Sequence, residues 1–460
     1  MTLTALRPAS LTPAQLVARY DGRAPRYTSY PTAVQFTDQV DAAVYGQWLA
    51  DLPLDKPISL YVHIPFCKRL CWFCGCNTRA INRQEPVTAY VERLIEEIGL
   101  LEAALPGRLT VDGLHFGGGT PNLLSRDHLN DLFRALRHVF RFTPNARIAA
   151  ELDPVSLTRD WVTAAAFHGL NRASLGVQNL SPQVQAAVNR KEDFAEVAER
   201  IGWLREAGVE SVNIDLMYGL PFQTLANTLE TVDRIASLRP ERIALFGYAH
   251  VPWMKSHQQL IDEAALPGPE ERLEQADAAA ERLVALGYVQ IGLDHFALPQ
   301  DELARAQAEG RLRRNFQGYT ADPPETLLGI GASAIGSLPQ GFVQNAVQEL
   351  TWKNAVGEGR LPVAKGVATT DDDRFRGELI ERLMCDLAVD LADVCARHGH
   401  RVADLSAERS ALSKFQEDGL IAWSGDRLEI TEAGRPVIRS VCAVFDAYFA
   451  PQAQRHSRAL

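Results

Sequence analysis

An alternation of short apolar runs with helical segments is the feature that most limits how this chain can fold. Six runs rich in branched residues are each followed by a segment with helical periodicity. Parallel strands joined by crossover helices predict an α/β fold, built as a closed or partial barrel of six strand–helix units. The runs are residues 58–64, 111–116, 147–152, 173–178, 212–217 and 243–248.

The chain length allows one large unit with smaller units beside it. The chain has 460 residues, 46% of them hydrophobic, which supports a substantial core. The strand–helix pattern predicts a catalytic unit at 51–365, with one more strand at 292–296, preceded by an extension at 1–50. Residues 366–460 predict a mainly helical unit, with helices at 371–394 and 403–417 and a hairpin turning at 424–426, similar to a winged helix.

The charge and the N-terminus exclude several classes of partner. A net charge of −10 argues against nonspecific binding to nucleic acid or to an anionic membrane, since both need a basic face. An acidic substrate would need arginines concentrated in its site. Arg7, Pro8 and Pro13 interrupt the first twenty residues, so we expect neither a signal peptide nor a membrane span, and a cytoplasmic protein.

Four of the seven cysteines lie within ten residues, directly after the first predicted strand. The C-x3-C-x2-C spacing of Cys67, Cys71 and Cys74 suits an iron–sulfur cluster that keeps one coordination position open for a ligand. A structural zinc site normally takes a second pair of ligands, which the sequence lacks. A disulfide framework is disfavoured in a long chain without a secretory signal. Three further cysteines are expected to be buried and apolar: Cys385, Cys395 and Cys442.

Polar residues cluster where the predicted strands end. In parallel α/β barrels the active site lies at the C-terminal ends of the strands, so six loops should converge on one site. These loops carry the cysteines, the sequence GGGTP at 117–121, Glu151 with Asp153, Gln178, Asp215 and His250.

Three other segments carry unusual composition. The segment 25–31, PRYTSYP, is either a surface loop or a segment that folds over a pocket and offers Arg26 to an acid. The segment 311–320, RLRRNFQGYT, is either a solvated loop or a binding segment. The small apolar residues 329–336 suit a close backbone approach to a ligand or to a neighbouring segment.

Several of these motifs resemble a known family. The cysteine spacing and GGTP at 118–121 resemble the cluster loop and glycine-rich strand end of radical S-adenosylmethionine (SAM) enzymes. RYTSYPT at 26–32, CGCN at 74–77, RNFQGYT at 314–320 and LMC at 383–385 more narrowly resemble the oxygen-independent coproporphyrinogen III oxidases, also called coproporphyrinogen dehydrogenases, over nearly the whole chain. Trp72 and Phe116 replace the expected Tyr and Trp, which are aromatic exchanges.

The resemblance implies an oxidoreductase of anaerobic haem biosynthesis. It implies that two propionates of coproporphyrinogen III are oxidatively decarboxylated to vinyl groups, giving protoporphyrinogen IX. It also implies a 4Fe-4S cluster on Cys67, Cys71 and Cys74 whose fourth iron binds SAM, with a second SAM nearby. Cys76 resembles the family's fourth cysteine, which is not a ligand. We further expect a monomer that takes electrons from a donor such as a flavodoxin or a ferredoxin.

The family's functional residues carry over by motif. Contacts of the first SAM fall on Tyr61, Gly118, Glu151 and Ile335. Contacts of the second SAM fall on Phe73, Gly119, Thr120, Gln178, Arg190, Asp215 and Ala249. Arg26 and Arg314 are predicted to recognise propionates. Two other readings stay open: a related radical SAM protein that carries or inserts haem, and a zinc-bearing regulator that uses the winged-helix-like unit.

Overall fold

A computed structural model describes residues 11–321 and 323–449, so the first ten and last eleven residues of the two predicted end units lie outside the described residues. The strands are β1 Ile58–Ile64, β2 Thr110–Gly118, β3 Arg141–Leu152, β4 Arg172–Gln178, β5 Ser211–Tyr218, β6 Arg242–Gly247, β7 Val289–Ile291, β8 His295–Ala297, β9 Leu312–Asn315, β10 Gly318–Ala321, β11 Thr326–Ile330, β12 Ile335–Leu338, β13 Gly341–Asn345, β14 Val363–Ala368, β15 Ala388–Asp390, β16 Ile421–Ser424 and β17 Arg427–Ile430. Two-residue strands Phe66–Cys67 and Arg79–Ala80 pair beside the cysteines.

The α-helices of the described residues surround this framework. They are α1 Pro13–Tyr20, α2 Ala42–Ala50, α3 Glu85–Ala104, α4 Arg126–Val139, α5 Arg159–Phe167, α6 Pro182–Ala187, α7 Phe194–Glu206, α8 Leu225–Ser237, α9 Pro269–Ala285, α10 Glu302–Ala308, α11 Glu349–Gly357, α12 Asp371–Asp386, α13 Leu391–His398, α14 Ser406–Glu417 and α15 Ile438–Cys442. No described helix is both long and apolar enough to span a membrane.

Twelve strands of the described chain form one sheet, and seven of them are parallel in the order β11-β1-β2-β3-β4-β5-β6. Antiparallel strands extend both ends, β8 and β7 beyond β6, and β12 to β14 beyond β11. The outer strands β14 and β7 do not pair with each other among the described residues. The six predicted parallel strands are therefore confirmed, and the barrel is partial.

The periodicity of each segment explains the element that it forms. In β1, Leu60, Val62 and Ile64 are fully buried. In α4, the Ser125 side chain accepts a hydrogen bond from the backbone N–H of His128, which caps the helix. Apolar residues at positions 129, 132, 133 and 136 of the same helix are buried, as the spacing predicts. These faces form the core between the sheet and its helices.

Two local expectations were wrong, and one segment whose assignment was left open forms regular structure. The single strand expected at 292–296 is two antiparallel strands, β7 and β8, because the chain reverses at Gly292 with a φ of +52°. The possible loop at 311–320 is the hairpin β9–β10. The long helix expected at 371–394 is interrupted, because Leu387 adopts a left-handed φ of +56° and ends α12 before β15.

The two ends of the described chain share one small core. Leu16 and Tyr20 of α1 and the loop residues Tyr27 and Tyr30 pack with the C-terminal helices. The predicted hairpin is present as β16 and β17, and β15 adds a third strand to it. The N-terminal segment is therefore fixed to the C-terminal unit before it reaches the barrel.

Candidate active site

The glycine-rich end of β2 packs tightly against the start of the cysteine loop. The backbone N–H of Gly119 donates to the Ile64 carbonyl at 2.8 Å, and that of Thr120 to the Phe66 carbonyl at 2.7 Å. A Cβ atom on Gly119 would lie 2.6 Å from the Phe66 carbonyl oxygen and 2.9 Å from that of Ile64. Since both contacts are with backbone, only glycine allows this approach, which places residues 118–120 beside Cys67.

Polar groups surround two of the predicted ligand thiols. The Thr120 hydroxyl donates to Cys67 Sγ at 3.3 Å, and the Arg190 guanidinium donates to Cys71 Sγ at 3.4 Å. Burial raises the pKa of both thiols, and these donors oppose that rise. Iron binds the thiolate form, so donors aimed at sulfur fit a cluster-binding role for the loop.

Among the described residues, the cysteine side chains are not grouped around the position of one metal ion. No three or more His, Cys, Asp or Glu among the described residues are grouped to hold one metal ion. The thiolates of a cubane bind different irons and therefore stand farther apart than the ligands of one ion. Cys76 is exposed, and its carbonyl accepts a hydrogen bond from Lys255 at 2.9 Å.

The segment after β6 holds the cysteine loop from the opposite side. The ring Nε2 of His257 donates to the Cys74 carbonyl at 2.7 Å. The Gln258 amide donates to the carbonyls of both Phe73, at 3.0 Å, and Ala249, at 3.3 Å. These bonds bring Phe73 and Ala249 together, although 176 positions separate them in the sequence.

Arg190 and Gln178 converge above the end of β4. Arg190 forms ion pairs with Asp153 at 3.2 Å and Glu192 at 2.8 Å and also donates to the Gly176 carbonyl. A Cβ atom on Gly176 would lie 3.0 Å from the Gln178 amide nitrogen and 3.3 Å from an Arg190 guanidinium nitrogen. Gln178 adopts a left-handed φ of +70°, a conformation uncommon for a residue other than glycine.

A hydrogen-bonded chain joins β1 to the cysteine loop. The Tyr61 hydroxyl donates to His63 Nδ1 at 3.0 Å, and His63 Nε2 donates to the Asn77 carbonyl at 2.9 Å. The carbonyl can only accept, which sets the tautomer of His63. Tyr61 pairs with Gly329 of β11, and a Cβ atom on that glycine would lie 2.8 Å from the Ile335 carbonyl oxygen. Tyr61 and Ile335 are therefore near neighbours.

Two carboxylates line a cavity of about 280 Å³ inside the sheet. Glu151 accepts hydrogen bonds from the Gly118 N–H at 3.0 Å and from His115 Nε2 at 3.2 Å. Burial alone would raise the pKa of Glu151, but His115 and the Gly118 N–H lower it below its usual value. Asp215 accepts from Ser174 and Asn213, yet burial and the negative charge of Glu151 raise its pKa to about 6.

A second cavity of about 390 Å³ lies beyond the ends of β5 and β6. Among the described residues, six arginines and three aspartates line it, so its wall is positive in a chain whose net charge is −10. Arg26, Arg314 and Ala249 are part of this wall. Phe246 borders both cavities, which therefore adjoin.

The two predicted substrate arginines differ in their surroundings. Arg26 is exposed, and its guanidinium donates to the Gly247 carbonyl at 3.4 Å. Arg314 stacks on the Tyr319 ring, 4.4 Å from its centroid, and its Nε and Nη1 are buried with no hydrogen-bond partner among the described residues. Burial would raise the pKa of Asp294, but His295, Arg314 and Arg26 lower it to about 2.

The structure thus places the predicted residues in two adjoining groups. Most lie around the cysteine loop and the inner cavity, while Arg26, Arg314 and Ala249 line the larger cavity. Sequence reasoning missed several residues of these groups. In β1, β4 and β5 a polar residue stands at every second position, and this alternation could have identified His63, Ser174 and Asn213. The missed residues are His63, His115, Ser174, Asn213, Asp294 and Arg439.

Comparisons with known proteins give a consistent result. Residues 61–235 match the radical SAM superfamily, and residues 369–437 match the HemN C-terminal domain. The oxygen-independent coproporphyrinogen III oxidase of Bradyrhizobium diazoefficiens is 48% identical over 97% of this chain and 100% of its own. That of Paracoccus denitrificans is 41% identical over 93% of this chain and 95% of its own. The structure of coproporphyrinogen III oxidase (HemN) from Escherichia coli, a radical SAM enzyme, matches with a TM-score of 0.88 and 38% identity, covering 92% of this chain and 98% of that chain.

Proposed function

This chain belongs to the oxygen-independent coproporphyrinogen III oxidases of the radical SAM superfamily, and from that membership we propose how its site performs the reaction. The chain is an oxidoreductase of anaerobic haem biosynthesis. It converts two propionates of coproporphyrinogen III to vinyl groups, giving protoporphyrinogen IX. The haem-carrying alternative is not favoured, because relatives matched over nearly their full length bear the oxidase name.

The enzyme uses a 4Fe-4S cluster and SAM, which when bound supply the one-electron chemistry that removes a hydrogen atom from the substrate. We assign the cluster to Cys67, Cys71 and Cys74. The first SAM is assigned to Tyr61, Gly118, Glu151 and Ile335. A second SAM is assigned to Phe73, Gly119, Thr120, Gln178, Arg190, Asp215 and Ala249.

The residues of the chain orient these groups. Thr120 and Arg190 stabilise the thiolates of Cys67 and Cys71 through the hydrogen bonds described above. Glu151, kept ionised by His115 and the Gly118 N–H, offers a carboxylate to the ammonium group of SAM. Asp215 offers acceptor oxygens to hydroxyl groups.

The larger cavity is proposed to bind the substrate. Arg26 and Arg314 present guanidinium groups, whose planar fork suits carboxylates of the propionate side chains. The observation that carries this proposal is that the segment 248–258 connects the larger cavity to the cysteine loop. Its first residues line the arginine-rich cavity, and its last residues, His257 and Gln258, hold the cysteine loop.

Several wider features are also proposed. The N-terminal extension folds over the site through its described residues 11–50, residues 51–365 form the catalytic unit, and the C-terminal unit begins at residue 366. The chain works as a cytoplasmic monomer and receives electrons from a donor such as a flavodoxin or a ferredoxin.

One assay tests the function directly. After anaerobic reconstitution of the cluster, the enzyme is supplied with SAM, a reductant and coproporphyrinogen III. We expect 5′-deoxyadenosine and carbon dioxide to be released together, and neither without substrate. An enzyme with an intact cluster that binds haem but releases no carbon dioxide would contradict the oxidase function and support haem binding instead.

A further inference from the structure

Arg439 lies on the short C-terminal helix α15 and faces the larger cavity. Its side chain is buried, with 8% of the residue exposed, and its Nη1 donates to the Ala24 carbonyl at 3.2 Å. Ala24 precedes Arg26 by two positions. The C-terminal helix therefore holds the backbone that carries Arg26.

Arg439, Arg26 and Arg314 come from three distant parts of the chain and line the same cavity. Asp294, ionised beside them, offsets part of this positive charge. Burial and the repulsion from Arg26 and Arg314 lower the pKa of Arg439 to about 10. Tyr218 also lies in this wall, and burial raises its pKa, which keeps it neutral.

Like charges held together under burial are unfavourable unless an anion joins them. A carboxylate entering this part of the cavity would pair with several guanidinium groups at once and relieve their mutual repulsion. The arginines on an acidic chain therefore mark a site for an anionic group rather than a general property of its surface.

We propose that Arg439 binds a propionate carboxylate of the tetrapyrrole substrate together with Arg26 and Arg314, so that the C-terminal helix forms part of the substrate site. This inference rests on the proposed function and adds a residue that lies beyond the matched C-terminal domain, which ends at residue 437. A purely structural role, in which Arg439 only anchors Ala24, is the competing explanation.

Substitutions separate the two roles. In Arg439→Gln the side chain keeps N–H donors for the Ala24 carbonyl but loses the positive charge. In Arg439→Lys the charge stays, but the bidentate fork is lost. Arg427→Met removes an exposed arginine from the same C-terminal unit and serves as the control. Thermal midpoint and iron content verify the fold of each variant.

Equilibrium binding is measured by quenching of tryptophan fluorescence, with coproporphyrin III and its tetramethyl ester as probes. The ester keeps the ring but has no carboxylates. We expect Arg439→Gln to weaken binding of the acid about tenfold or more, and Arg439→Lys about threefold, because a charge-assisted hydrogen bond is lost or weakened. Binding of the ester should not change, and Arg427→Met should match the wild type with both probes.

Three results would overturn the inference. The first is an unchanged affinity of Arg439→Gln for the acid, and the second is an equal loss for acid and ester, which indicates an anchoring role. If Arg439→Gln does not fold, Arg439→Lys is used in its place. The third result is then a wild-type affinity of Arg439→Lys for the acid. A wild-type enzyme that neither binds coproporphyrin III nor releases carbon dioxide refutes the proposed function itself, so the two failures are distinguishable.

Discussion

Glu151 and Asp215 line the same interior cavity, yet the pKa values of their carboxyl groups are shifted in opposite directions. His115 and the Gly118 N–H outweigh burial at Glu151 and lower its pKa. Burial and the charge of Glu151 raise the pKa of Asp215 to about 6. Glu151 is thus a fixed anion, whereas Asp215 changes its charge in mildly acidic solution.

The raised pKa of Asp215 makes the stability of the cofactor-free chain depend on pH. Between about pH 4 and pH 6 the carboxyl is protonated in the folded chain and ionised in the unfolded chain. The folded state then binds more protons, so raising the pH through this window favours unfolding. The thermal midpoint should therefore fall as the pH rises from about 4 to about 6. We expect Asp215→Asn to remove the part of this fall that is due to Asp215. Identical pH profiles for variant and wild type would contradict the raised pKa.

The contact of Gly119 with the cysteine loop should be intolerant of any side chain. We expect Gly119→Ala to lose most of the reconstituted iron, because the new Cβ would be forced against the carbonyls of Phe66 and Ile64. Gly75→Ala is the matched control within the loop, since a Cβ there would meet nothing within 4 Å. Iron and sulfide analysis after reconstitution measures both. Equal iron contents in the two variants would refute the steric argument.

The parallel core of the fold was predictable because buried apolar residues recur at alternate positions of strands such as β1, β4 and β5. The run at 58–64 coincides with β1, in which Leu60, Val62 and Ile64 are buried. The strand β11 was missed, since pairing with β1 is a long-range relationship that local periodicity does not show. The break at Leu387 was missed for a related reason: the apolar periodicity continues across it, while the backbone reverses there.

The site was predictable only where a motif fixed it. The cysteine spacing and the glycines at the end of β2 could be recognised in the sequence, because thiolate ligation and close backbone approach restrict the residue type at these positions. A histidine in a strand carries no such restriction, so His63 and His115 became recognisable only through the atoms they contact. Nothing in the sequence distinguishes Arg439 from other arginines of helices, and its role is visible only from its contact with Ala24 in the folded chain.

Buried Glu97 holds the turn that carries Ile335. It accepts hydrogen bonds from the Gly331 N–H at 2.8 Å, the Asn345 amide at 2.7 Å and the Trp352 indole at 3.0 Å. An amide at this position would leave one buried donor without an acceptor, at a cost of about 1–3 kcal/mol. We therefore expect Glu97→Gln to lower the thermal midpoint and weaken SAM binding.

The neighbouring residue Glu96 provides the control for this position. It is exposed and pairs with Arg93 on the surface of α3. Glu96→Gln should leave both the thermal midpoint and SAM affinity close to the wild type. Coproporphyrin III affinity should be unchanged in both variants. A similar effect of the two substitutions would contradict the role of Glu97 in positioning the turn.

Cys76 should be dispensable for the cluster, unlike its three neighbours. The residue is exposed, its thiol and that of Cys74 share a hydrogen bond, and its carbonyl accepts a hydrogen bond from Lys255. Serine keeps a hydroxyl for the bond to Cys74. We expect Cys76→Ser to reconstitute wild-type amounts of iron and sulfide. Serine at position 67, 71 or 74 should abolish the cluster absorbance. Loss of iron in Cys76→Ser would show that the fourth thiol is a ligand.

The different surroundings of Arg26 and Arg314 should separate substrate binding from stability. We expect Arg26→Ala to raise KM for coproporphyrinogen III about tenfold with little change in thermal midpoint, because Arg26 is exposed. Arg314→Ala should raise KM similarly and also lower the thermal midpoint, since it removes a guanidinium stacked on Tyr319. Arg313→Ala, on the exposed side of the same strand, is the control. Unchanged KM in both Arg26→Ala and Arg314→Ala, with SAM affinity intact, would exclude these arginines from propionate recognition.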